Sequence, residues 1–84
     1  MNATTTPAET QYTWSDMPDH LQAYVLGAHV VMLKTKKVAA LKRIFDLGNP
    51  QIVIGANQET HKSYCRVEGE ESVKVINLLI REYL

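Results

Sequence analysis

Three histidines, His20, His29 and His61, and one cysteine, Cys65, are the side chains here that could hold a transition metal or support nucleophilic chemistry. His61 and Cys65 are four positions apart, but in a turn followed by a strand that spacing does not bring two side chains together. No second cysteine, CxxC or HExxH pattern accompanies them, so neither a metal nor a cofactor is expected. A nucleophilic site would need Cys65 or a serine beside a base and an orienting third group. Cys65 reads instead as a small core residue on the inward side of a strand. Glu68, Glu70 and Glu71 fall at a strand-to-helix junction, which suits a helix start better than acid–base work. Gly48 and Gly55 are isolated, with no phosphate-cradling loop around them. No enzyme is expected from this set. His29 is the least ordinary histidine, since it falls in the apolar half of its helix.

Charge offers a second kind of chemistry. Five of the nine positive residues, Lys34, Lys36, Lys37, Lys42 and Arg43, lie within ten positions that hold no acid. Such a cluster can grip phosphates or an acidic partner through charge-assisted contacts, with Tyr12 or Trp14 available to stack a base. On a helical wheel, however, Lys36 and Arg43 fall together, Lys42 is about 100° from Arg43, and Lys37 falls inside the apolar arc. The five therefore do not form one pad.

The elements that must position these residues begin at residue 14. Residues 1–13 are mostly small and polar and read as a flexible N-terminal arm, leaving 14–84 as a single small domain. Tyr12 and Trp14 read as aromatics that fold back onto the body of the domain. In Ser15-Asp16-Met17-Pro18-Asp19, Ser15 or Asp16 can cap free amides and Pro18 suits a first turn. At about 100° per residue, Met17, Leu21, Tyr24, Val25, Ala28, Val31 and Met32 share a face, the expected core stripe. Leu26, Val30 and Leu33 then fall outside it, an apolar excess that a partner or a second layer would have to cover. Residues 29–35 also fit a short strand, with Gly27 ending a shorter helix, but the sustained period favours helix.

After Lys34-Thr35-Lys36-Lys37, the residues Val38, Ala40, Leu41, Ile44, Phe45 and Leu47 lie on one half of a wheel, with Lys42, Arg43 and Asp46 on the other. Gly48 is expected to take the left-handed conformation at the helix end, and Pro50 cannot continue a helix. The period then changes to two over residues 51–55 and 62–68, an antiparallel hairpin with Cys65 and Val67 on one face and Tyr64, Arg66 and Glu68 on the other. A last helix opens at Glu70 and Glu71, with Val73, Ile76, Leu79, Ile80, Tyr83 and Leu84 on its apolar arc.

These readings give an α+β fold: one or two N-terminal helices, an antiparallel β-hairpin and a C-terminal helix. A two-stranded hairpin is marginal alone, so completion by oligomerisation is expected, in a symmetric homo-oligomer. Nine basic residues balance nine acidic ones, for a net charge of zero, so no global field favours nucleic acid or anionic lipid. A single cysteine forms no intramolecular disulfide, and the start of the chain shows no basic, apolar signal region, which together suggest the cytoplasm. The longest uncharged run, residues 20–33, is too short to cross a bilayer, and no membrane partner is expected. The function expected is that of a small non-enzymatic regulator or inhibitor that binds a protein partner, with Leu26, Val30, Leu33, Trp14 and Tyr64 at the partner or oligomer interface. The alternative is a nucleic-acid or nucleotide binder using residues 34–43.

Overall fold

A computed structural model describes residues 9–84. In chain order it contains strand β1 (Glu9–Thr13), a 3-10 turn (Trp14–Asp16), helices α1 (Asp19–Leu33) and α2 (Val38–Gly48), strands β2 (Gln51–Ala56) and β3 (Ser63–Glu68), and helix α3 (Glu70–Tyr83). The fold is α+β, as expected, but the sheet has three antiparallel strands in the order β1-β2-β3. Residues 9–13, assigned from sequence to the flexible arm, pair with β2 from Glu9 opposite Gly55 to Thr13 opposite Gln51; the rest of that arm lies outside the described residues. Polar Glu9-Thr10-Gln11 gave no hydrophobic period, because this strand sits at the sheet edge and only Tyr12 packs on the core. The chain itself thus completes the hairpin, and the need for a second chain to do so lapses.

The two faces of the sheet differ as alternation requires. Ile52, Ile54, Cys65, Val67 and Tyr12 meet the helices. Glu9, Gln11, Gln51, Tyr64, Arg66 and Glu68 occupy the other face, where Val53 is nevertheless buried between its register neighbours Gln11 and Arg66. The long carbon stems of such side chains can cover apolar surface while their polar ends stay wet.

The core centres on Trp14, Val25, Leu41, Ile44, Phe45 and Ile52, each essentially inaccessible to solvent. Trp14 is held at every polar atom: its indole Nε1–H donates to Asp46 Oδ1 at 2.8 Å, its backbone N–H to the Pro50 carbonyl at 2.9 Å, and its carbonyl accepts from Gln22 Nε2 at 2.7 Å. Its ring tilts onto Phe45 at 4.8 Å. Asn49 Oδ1 accepts the Ser15 N–H at 2.9 Å, so the 3-10 turn is bolted to the end of α2.

Helix boundaries depart from the sequence reading in instructive ways. Ser15 and Asp16 belong to the 3-10 turn, and α1 is entered through Pro18, whose carbonyl accepts from Leu21 and Gln22. Residues 29–33 are helix, not strand. Lys34 then adopts the left-handed conformation (φ 53°), with its N–H on the Val31 carbonyl and the Thr35 N–H on Val30. This closing pattern separates α1 and α2 into two helices. At the end of α2 it is Asn49, not Gly48, that turns left-handed. Gly48 serves packing instead: a Cβ there would lie 2.9 Å from Ile76 Cδ1 and 3.2 Å from Leu79 Cδ1, so its absence lets α3 approach α2.

Candidate functional site

Helix α1 packs Leu21, Tyr24 and Val25 of the expected stripe on the core, but its buried face continues to the other side of the wheel instead of through Ala28, Val31 and Met32. Val25, Leu26 and His29 are buried, Leu21, Val30 and Leu33 pack partly against the core, and Val31 and Met32 are 77% and 66% exposed. The buried arc is rotated by roughly 100° from the stripe drawn through Met17. Met17 is buried but precedes the helix, and the second half of α1 is apolar nearly all round, so its wheel does not fix which side meets the core. Leu26, Val30 and Leu33 therefore contribute to the protein's own core, and the apolar surface left open on α1 is Val31 and Met32.

Of these two, Met32 borders a cleft of about 290 Å³ between α1 and α3. Ala28, His29 and Met32 form one side, Val73, Asn77 and Ile80 the other, and Cys65 and Val67 of β3 the floor. Val73 on the α3 side is 38% exposed. The lining follows from two local rules: α1 and α3 repeat near 3.6 residues and turn their small and aliphatic positions inward, while β3 alternates and sends Cys65 and Val67 towards them. Burial pushes the Cys65 thiol up, which keeps it in the neutral, weakly reactive form. Burial also pushes the Tyr24 hydroxyl up, with the neighbouring Cys65 adding to the effect.

His29 is the polar side chain deepest in this region. It is 8% exposed, its Nδ1 lies 2.9 Å from the Val25 carbonyl one turn earlier, and its ring meets Phe45 edge-on at 5.1 Å. Sequence reading noticed His29 as unusual but missed Ala28, Met32, Val67, Val73, Asn77 and Ile80 as one surface. Only the packing of α1 and α3 over β3 brings them together.

The remaining candidate residues are dispersed. Trp14, at 1% exposure, offers no ring face to a base or a partner and acts as the core anchor described above. Tyr64 is half-buried on the outer sheet face, where its hydroxyl donates to Glu9 Oε2 at 2.6 Å and Arg66 binds the same carboxylate at 2.8 Å. The Arg66 and Tyr64 hydrogen bonds hold the Glu9 carboxyl down to about 2 and correspondingly push the Tyr64 hydroxyl and the Arg66 guanidinium up. Tyr64 crosses directly over Gly55, where a Cβ would come 2.6 Å from its Cζ.

All five basic residues are exposed, but they do different things. Lys42 pairs with Asp46 at 2.8 Å, and with the Trp14 indole it holds that carboxyl below the usual range. Arg43 stacks over the Tyr83 ring at 5.7 Å. Lys34, Lys36 and Lys37 share the connection between α1 and α2, so three of the five are neighbours and two are engaged elsewhere. Among the described residues no group of His, Cys, Asp and Glu is arranged to hold a metal, and no helix is long and apolar enough to cross a membrane. Comparison with protein-family models, curated proteins and solved structures finds no match to this chain.

Proposed function

We propose that this protein is a small non-catalytic regulator or inhibitor that acts by binding a protein partner through the cleft between α1 and α3. The observation that carries the reading is the apolar rim: Met32 on α1 and Val73 on α3 stand 66% and 38% exposed on either side of a floor formed by Cys65 and Val67. Scattered exposed aliphatics need no explanation, but a continuous apolar set around a concave surface is a common mark of an interaction site. Placing a photo-crosslinking amino acid at Met32, and as a control at Thr60 in the β2–β3 turn, tests this in the native host. One protein captured in stoichiometric yield from position 32 and not from 60 supports the reading; no capture at position 32 overturns it. A second copy is one such partner, since an apolar face can close on itself about a two-fold axis. Light scattering decides that case, because a 9.5 kDa species at all concentrations leaves only a foreign partner.

A second reading, as a nucleic-acid or nucleotide binder, draws on Lys34, Lys36 and Lys37 in one connection. Affinity that falls steeply with salt, and falls again in Lys36→Glu with Lys37→Glu, would support it.

A further inference from the structure

His29 is a buried polar group whose hydrogen bonding is half complete. A carbonyl only accepts, so the contact with Val25 places the proton on Nδ1 and leaves Nε2 of the neutral ring as a lone-pair acceptor. The residue is more than nine-tenths buried, lines the cleft, and gives Nε2 no partner among the described residues. Buried acceptors are ordinarily satisfied, and one left open beside an apolar cleft calls for a donor from outside.

We propose that the cleft receives a tryptophan side chain of the protein partner, its indole N–H donating to His29 Nε2 while its ring packs against Met32, Val67 and Ile80. The proposal rests on the cleft being the protein-binding surface. Three observations select this occupant. A volume of about 290 Å³ is at the lower end of ligand sites, roughly 300–1,000 Å³, and suits one large side chain better than a drug-sized molecule. Indole donates and does not accept, so the His29 Nε2 acceptor satisfies its one polar group fully. Tryptophan is also the residue most often found as an anchor in such desolvated pockets. A second copy does not supply it, because the one tryptophan of this chain is buried at 1% exposure.

The test titrates the full chain with indole and with indene, which has the same shape but no N–H, following cleft resonances and the His29 imidazole nitrogens by NMR. Indole is expected to bind about tenfold more tightly than indene, as one hydrogen bond to a buried acceptor implies. It is also expected to shift Nε2 and to slow alkylation of Cys65. In His29→Phe, which keeps an aromatic ring on Phe45, the preference is expected to vanish. Should that variant fail to fold by circular dichroism, the wild-type affinity ratio and the Nε2 shift decide the question alone. Equal affinity for the two probes, or cleft resonances unmoved by indole, overturns the tryptophan anchor, and a partner still captured from position 32 would leave the broader reading standing. An indole preference with no protein captured would instead overturn the partner as its source.

Discussion

Trp14 and His29 are both buried, both carry a polar atom on an aromatic ring, and both pack on Phe45, at 4.8 and 5.1 Å. Around Trp14 every polar atom is spoken for, by Asp46, Pro50 and Gln22, and the surrounding hydrophobics are closed to solvent. Around His29 one ring nitrogen is bonded and the other has no partner among the described residues, and the helix that carries it exposes Met32 one turn away. The first arrangement is a joint that ties the 3-10 turn, α1 and the end of α2 together. The second is a surface whose packing stops short. Completed hydrogen bonding marks what the fold needs for itself, and the incomplete side is where a partner is to be sought.

The contrast can be broken most severely at the joint. Trp14→Ala is expected to cost about 3–5 kcal/mol, because it removes a large core ring and leaves the Asp46 carboxylate without its indole donor. Urea denaturation measures it, and a loss below about 1 kcal/mol would mean that the joint is not the anchor described. Next in size is Gly55→Ala on the sheet face, expected to cost about 1–3 kcal/mol by pushing Tyr64 off its seat. The same change in a Tyr64→Ala background should be nearly neutral, and a double-mutant cycle reads the difference.

A smaller effect is expected from acid. Glu9 is held at about 2 against an ordinary 4.5, so its contribution to stability is complete above about 4.5 and is lost as pH falls towards 2. Carbon NMR titration of the Glu9 carboxyl should show the low midpoint, and Arg66→Met should raise it. Smallest is Met32→Ser, expected to change stability by less than about 0.5 kcal/mol, since the side chain is 66% exposed. A melting temperature lowered as far as by Trp14→Ala would show that the two regions do not differ as drawn.

Much of the architecture is legible from local pattern. The amphipathic run of α2, the alternation of β3 with Cys65 and Val67 inward, and the acidic start of α3 each follow from short-range periodicity and dipole chemistry. The misreadings share a cause. β1 has almost no hydrophobic signature because an edge strand gains its order from hydrogen bonds to β2, a partner some forty residues away in the chain. The phase of α1 is ambiguous in the sequence because Val31 and Met32, which are exposed, are as apolar as Leu26, Val30 and Leu33, which pack on the core. In an element whose second half is apolar nearly all round, no wheel can say which side meets the core.

By itself the sequence determined the helix and strand periods, the break at residues 49–50, and the neutral overall charge, all of which depend on neighbours a few residues apart. Only the tertiary structure decided that the chain completes its own sheet, that Leu26, Val30 and Leu33 face inward while Val31 and Met32 face outward, and that His29 stands in a cleft. Those outcomes depend on which distant surfaces exclude water together, and burial is a property of the assembled layers rather than of any one segment.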